Sequence, residues 1–211
     1  MKIILIGYNG KMGKEVQKCI ANDDIIVQKI ESADKPTKES LGDVIIDFST
    51  AKNREEFVKF SFENKIPYCC FATNLKEKDI ADFKELSSIV PVLVCSNASQ
   101  GINVMFDLVK LSSQKLKMAD VVLEEYHHKQ KIDIPSGTAR KIENILISEG
   151  ANFETKAFRV GNECGTHIIK FFLEDEILEI KHVAKSRKIF ALGAIEMARR
   201  ICVSPNGFYE K

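Results

Sequence analysis

The densest chemistry in the sequence lies in one block, Glu125-Tyr126-His127-His128-Lys129-Gln130-Lys131-Ile132-Asp133-Ile134-Pro135-Ser136-Gly137-Thr138-Ala139. Two adjacent imidazoles and two lysines precede a Pro-Ser-Gly-Thr turn where a strand pattern gives way to a helical one. At such a turn Ser136, Gly137 and Thr138 aim backbone N–H groups and hydroxyls at one spot, and the helix dipole favours negative charge there. The block therefore reads as a cradle for a carboxylate or phosphate. His127 and His128 beside it suit a general acid or base, or anion binding, and a protonated imidazole serves both purposes. A metal site is not expected. Adjacent histidines on a strand point to opposite faces, and neither H-x-x-x-H spacing nor a nearby cysteine pair completes a ligand set. The remaining histidines, His167 and His182, fit ligand contact and a hydrogen-bonded structural role equally well.

A second cluster, Gly7-Tyr8-Asn9-Gly10-Lys11-Met12-Gly13, sits between an apolar run and a helical pattern. Residues without a Cβ let a backbone approach a pyrophosphate, and the helix N-terminus supplies free N–H donors. The spacing is G-x-x-G-x-x-G, not the commoner G-x-G-x-x-G, and a glycine cluster alone serves a tight turn as readily as a nucleotide. Its place after the first strand favours dinucleotide binding. Glu31, about 20 residues beyond the turn, can accept hydrogen bonds from both hydroxyls of an adenosine ribose. A carboxylate there repels a 2′-phosphate and favours NADH; Lys29 and Lys35 soften that preference and leave NADPH open, and a solvated strand-end glutamate is the plainer alternative.

Those residues need elements to position them. Apolar runs over 2–6, 25–30, 44–48, 66–71 and 90–95 lack alternation, which suits strands covered on both faces, with helices expected over 13–21 and 53–63. The fold class expected is α/β, an N-terminal Rossmann-like doubly wound parallel sheet. After about residue 99 the pattern changes to a helix over 103–117, a strand over 120–125, a helix over 135–148 and strands over 156–160, 167–173 and 177–182. Short connections between alternating strands argue for a second α+β domain with a mixed sheet. A final Ala-rich helix over 190–202 returns to the first domain, so residues 1–99 with 187–211 are expected to bind the dinucleotide, and 100–186 to bind substrate.

Composition narrows the function classes. Thirty-one Lys and Arg against 30 Asp and Glu leave no basic field for nucleic acid or anionic lipid, so neither partner is expected. The opening apolar run is too short for a membrane span or a secretory leader, and six cysteines without C-x-x-C pairing suit reduced, buried thiols. A cytoplasmic protein is expected.

The motifs, in order over nearly the whole chain, resemble those of the dihydrodipicolinate reductases in their shorter form. They are Gly7-x-x-Gly10-Lys11-Met12-Gly13, Asp47-Phe48-Ser49-Thr50, Ser96-Asn97-Ala98-Ser99-Gln100-Gly101-Ile102-Asn103, the His127-His128 block, Arg159-x-Gly161, Gly165-x-His167 and Ser186-Arg187-x-x-Phe190-Ala191-x-Gly193-Ala194. The resemblance implies NADH- or NADPH-dependent reduction of a small cyclic dicarboxylate, 4-hydroxy-tetrahydrodipicolinate, in lysine and diaminopimelate synthesis. It implies His127 as general acid, Lys131 as the cation for a substrate carboxylate, and substrate contacts from His128, Ser136, Gly137 and Thr138. Phe48-Ser49-Thr50, Ala72-Thr73-Asn74 and Ser96-Asn97-Ala98 resemble the loops that line a nicotinamide and its ribose. A homotetramer built through the second domain's sheet is also implied. Where relatives carry Gly-Thr-Thr-Gly, this chain has Ala72-Thr73-Asn74-Leu75, and a nucleotide-binding protein of the same fold with weakened turnover is the alternative.

Overall fold

The computed structural model describes residues 1–21, 23–31, 33–50, 53–72 and 75–210. The chain forms two compact units, residues 1–98 with the stretch from Lys188 onward, and Ser99–Arg187. No helix among the described residues is long and apolar enough to cross a membrane.

The first unit is built on strands β1 (Lys2–Ile6), β2 (Ile25–Ile30), β3 (Val44–Asp47), β4 (Tyr68–Cys70), β5 (Pro91–Val94) and β10 (Gly207–Glu210). They pair in the order β10-β5-β4-β3-β1-β2, all parallel. Unbroken apolar runs arise because both faces are covered. Ile3, Leu5, Val44, Ile46 and Leu93 face helices α1 (Lys11–Cys19) and α6 (Lys188–Ile201), while Ile4, Ile45, Tyr68 and Val92 face α2 (Arg54–Asn64) and α3 (Glu77–Leu86). Each fully buried isoleucine or leucine contributes about 1.5–3 kcal/mol relative to exposure. Strand order reverses between β1 and β3, and in open α/β sheets that switch point opens a crevice at the carboxyl ends of the strands.

Several boundaries depart from the sequence pattern. Helix α1 starts at Lys11 rather than 13, inside the glycine turn, with Gly10 as its N-cap. Helix α3 and strand β10 escape the apolar-run reading because α3 is rich in charged residues and β10 has only four residues.

The second unit carries α4 (Gln100–Lys115), β6 (Asp120–His127), α5 (Gly137–Ser148), β7 (Asn152–Arg159), β8 (Thr166–Phe172) and β9 (Ile177–Val183), with the sheet in the order β7-β6-β8-β9. Strand β6 pairs parallel with β7 and antiparallel with β8, so the sheet is mixed. Helix α4 begins three residues before the expected 103 because the Ser99 hydroxyl accepts a hydrogen bond from the Ile102 amide and caps it. The inward face of the sheet changes character along β6. Val121 and Leu123 pack with Ile169, Phe171, Ile142 and Leu146 in the core, whereas Glu125 and His127 continue the same face beyond the apolar cover.

Candidate active site

In the first unit Gly7 follows β1 at φ +78°, a left-handed conformation that a side chain resists. A Cβ on Gly7 would stand 3.0 Å from the Phe48 carbonyl carbon, and one on Gly13 would fall 2.2 Å from the Gly7 oxygen. The two glycines thus let the first turn of α1 press against the strand ends. A crevice of about 550 Å³ opens there, lined by Gly7, Gly10, Lys11, Met12, Gly13, Phe48, Ser49, Thr50, Phe71 and Ala72. Two of these, Phe48 and Phe71, stack with ring centroids 5.1 Å apart. The first turn of α1, where a helix leaves its N–H groups without intrahelical partners, and the Cβ-free Gly10 at its tip fit the pyrophosphate of a dinucleotide.

Glu31 follows β2, and one of its carboxylate oxygens accepts from the Asn9 amide of the glycine turn at 2.8 Å. The Asp34 carboxylate accepts from the Glu31 amide at 2.9 Å, adding a second negative group. Ser96, Asn97 and Ala98 follow β5, yet they are not among the crevice's lining residues; the Ala98 carbonyl instead lies where a side chain on Gly193 would collide, at 1.9 Å. Thr73 and Asn74 lie outside the described residues.

Beneath the crevice loop lies a polar network that sequence reading gave no role. Asp47, fully buried, accepts from the Ser49 amide at 2.7 Å and the Tyr68 hydroxyl at 2.8 Å. Arg54 places Nε 3.7 Å from Asp47 and Nη1 3.0 Å from Asp79, which joins the starts of α2 and α3. Burial pushes the Asp47 carboxyl above its ordinary range despite these partners.

In the second unit the strand predicted to end at 125 runs on to His127, so both His127 and Glu125 face inward. Tyr126 points to the opposite face and stacks on Phe158, centroids 4.6 Å apart. Glu125 is fully buried and surrounded by donors. Its carboxylate accepts from the Ser136 amide at 3.0 and 3.2 Å and from Arg159 Nη2 at 3.1 Å. One oxygen lies 3.5 Å from His127 Nδ1 and 3.7 Å from His167 Nε2. Burial works against its charge, but interactions with His167, Ser136 and Arg159 outweigh burial and hold the carboxyl down at about 2.

His127 is pulled the other way. Burial first, then His167, Lys131 and Arg159, outweigh the attraction of Glu125 and hold its pKa at about 4, so the ring is neutral at pH 7. His167 pairs directly across from Glu125 on β8, and His182 pairs across from His167 on β9. The Ser136 hydroxyl lies 3.3 Å from His167 and also caps α5 by accepting from the Ala139 amide at 3.2 Å; Ser99 stands likewise 3.4 Å from His182.

Lys131 is close to the block but already paired, its Nζ 2.8 and 2.9 Å from the two oxygens of Asp133. Burial opposes the charge on Asp133, and Lys131 together with the Gly137 amide lowers its pKa below the ordinary value. Arg159 secures this loop by donating to the Asp133 carbonyl at 2.6 Å and the Lys131 carbonyl at 3.3 Å. His128 follows the last residue of β6, and its carbonyl accepts from the Lys131 amide at 3.0 Å. Thr138, in the first turn of α5, is buried.

Among the described residues Glu125, His127 and His167 also form a set of three possible metal ligands within 4.8 Å of one another, a grouping that no spacing in the sequence announces. Its carboxylate is engaged by the Ser136 amide and the Arg159 guanidinium, and a cation there would displace them and face Arg159 and Lys131.

The profile of the dihydrodipicolinate reductase N-terminus matches residues 1–98, and that of its C-terminus matches residues 101–211. The 4-hydroxy-tetrahydrodipicolinate reductase of Thermosipho africanus is 35% identical over 209 residues, covering 99% of this chain and 95% of the relative. That of Clostridium tetani is 33% identical over 241 residues, covering 99% and 94%. Among solved structures, a dipicolinate-bound dihydrodipicolinate reductase from Paenisporosarcina sp. TG-14 superposes with a TM-score of 0.80 at 17% identity, covering all of this chain and 97% of its own. An amine dehydrogenase from Mycobacterium smegmatis shares the fold more distantly, with a TM-score of 0.66 at 10% identity and coverage of 99% and 94%.

Proposed function

Starting from the fact that this chain belongs to the dihydrodipicolinate reductase family and is a 4-hydroxy-tetrahydrodipicolinate reductase of lysine biosynthesis, we propose how its residues divide the work. The enzyme uses NAD(P)H, which supplies the hydride when bound. The first unit holds the dinucleotide by the first turn of α1, with Glu31 on the adenosine ribose. The second unit holds the cyclic dicarboxylate.

The observation that carries this assignment is the convergence of His127, Arg159 and the tip of α5 on one buried carboxylate, with Lys131 tied into the same loop by Arg159. Lys131, His128 and the Ser136-Gly137-Thr138 turn bind one substrate carboxylate. His127 delivers the proton. Hydride addition to a conjugated imine leaves an electron pair on the neighbouring carbon, and a positioned acid must quench it. The substrate itself supplies the reason for His127 to become an acid: a dianion beside the ring offsets the neighbouring cations and raises its proton affinity.

NADH is the preferred cofactor. Supporting this, Glu31 and Asp34 put two carboxylates beside the glycine turn, which disfavours a 2′-phosphate there, and Lys35 is drawn toward Glu56 at 3.7 Å. The oligomer is a homotetramer formed through the outer face of the second sheet, where Phe158, Phe172, Ile177 and Val183 are exposed. Light scattering tests that state.

The deciding experiment supplies purified protein with the condensation product of pyruvate and aspartate semialdehyde and follows oxidation of NADH and NADPH. Turnover with both and a higher kcat/KM with NADH is expected. Folded protein that oxidises neither overturns the mechanism, and a higher kcat/KM with NADPH overturns the cofactor preference.

A further inference from the structure

We propose that Glu125 and Gly165 are positioning residues for His127: the carboxylate holds the ring through Nδ1 and the glycine leaves the Nε2 edge clear, so that Nε2 is the atom that delivers the proton. The inference rests on His127 being the acid of the reaction above.

Glu125 is a costly residue to bury, since an uncompensated charge in the interior carries a penalty of several kcal/mol. Its location is fixed from two sides, by the Ser136 amide at the start of α5 and by Arg159 on β7. Held there, it presents Oε2 to His127 Nδ1 at 3.5 Å. That nitrogen is buried and has no partner of hydrogen-bond geometry among the described residues. Catalytic hydrogen bonds are often long before substrate arrives and tighten in the complex. A neutral ring whose Nδ1–H points at Glu125 has its lone pair on Nε2, and protonation there gives the acid.

The other edge of the ring meets a glycine. Gly165 adopts φ +154°, and a Cβ there would stand 3.2 Å from Nε2 and 3.5 Å from Cδ2. Any side chain at 165 would crowd the edge through which the proton leaves. Four charged or titratable groups face His127: Glu125 on its own strand, Arg159 on β7, His167 on β8 with its ring 5.3 Å away and edge-on, and Lys131 from the loop. Glu125 is the one anion in that set. It therefore both orients the ring and offsets the repulsion that would keep it unprotonated.

The test compares E125Q, G165A and H127Q. In E125Q, kcat should fall about tenfold to a hundredfold, part of the roughly 10²–10⁴ that a positioned acid contributes. NADH affinity should hold within about twofold, and the high-pH limb of the kcat profile should move to lower pH by about one unit. G165A should slow turnover without moving that limb. If H127Q turns over like the parent, the acid assignment itself is wrong. If H127Q is slow while E125Q keeps both its rate and its high-pH limb, the positioning role is wrong. Should E125Q not fold, the parent protein decides: ¹⁵N NMR of the His127 ring at neutral pH is expected to show the Nδ1–H tautomer, and the Nε2–H tautomer overturns the proposal.

Discussion

Lys131 and Asp133 form a two-point ion pair, with the ammonium 2.8 and 2.9 Å from the two carboxylate oxygens, and Arg159 clamps the loop between them. An ammonium has three donors, so this pairing orients Lys131 while leaving capacity for a second carboxylate. In the proposed mechanism that remaining donor meets the substrate.

Replacing Lys131 by Met should therefore lower kcat/KM for the dicarboxylate by about tenfold to a hundredfold, the scale of one lost charge-assisted hydrogen bond. NADH binding, followed by fluorescence titration, should stay unchanged. An equal loss of NADH affinity would move Lys131 out of the substrate site.

Stability should fall as the solution is acidified, in two overlapping windows. His127 has its folded pKa depressed to about 4 from an ordinary 6.5, so the unfolded chain binds the proton more readily and stability declines as pH falls from about 6.5 to about 4. Glu125, depressed from 4.5 to about 2, contributes stability present above its unfolded value and lost as pH falls through that lower range. Urea midpoints measured across pH 7 to 2 should slope downward throughout. In H127Q the slope between about 6.5 and 4 should flatten, and an unchanged slope there would remove His127 as its source.

The glycine turn separates a folding role from a binding role. A Cβ on Gly13 would meet the Gly7 oxygen at 2.2 Å and Tyr8 Cα at 2.5 Å, so G13A should destabilise the protein by about 1–3 kcal/mol or more and abolish NADH binding. Gly10 is less crowded, its added Cβ standing 3.2 Å from the Gly7 oxygen. G10A should weaken NADH binding while the thermal midpoint shifts little. A G10A protein that binds NADH normally would place the pyrophosphate elsewhere.

Arg54 should prove to be a structural residue of the crevice loop. Removing it by R54M leaves fully buried Asp47 without its cation, a loss of about 3–5 kcal/mol by urea unfolding. Adding D47N should recover part of the loss, because it deletes the stranded charge. A change below about 1 kcal/mol in R54M would mean that the Ser49 amide and Tyr68 hydroxyl suffice for Asp47.

Much of this architecture was legible in the residues. The strand over 2–6 stands where its apolar run placed it, because burial on both faces leaves no competing pattern, and the run over 25–30 forms the sheet's part-exposed edge strand beside it. Strand β7 was read short because its outward positions, Asn152, Glu154 and Lys156, are polar and exposed. At the site, His127 and the Ser136 turn come together through the length of β6 and the cap of α5, both local in sequence. The pairing of Glu125 with His167 was not legible. It arises from the antiparallel register of β6 with β8, which no local spacing encodes. One signal was available: Glu125 and His127 continue the inward alternation of Val121 and Leu123, and a carboxylate at an inward strand position calls for partners.

The first unit is assembled from two stretches of chain, with the whole of the second unit threaded between them. While the protein is being synthesised, Ile3, Leu5, Val44, Ile46 and Leu93 have only α1 to shelter them until Ala191, Ala194 and Ala198 emerge. The second unit, one unbroken stretch, can close its core first. A chain halted after Arg187 would thus hold the whole second unit tethered to a half-wet sheet, the species most prone to capture by chaperones.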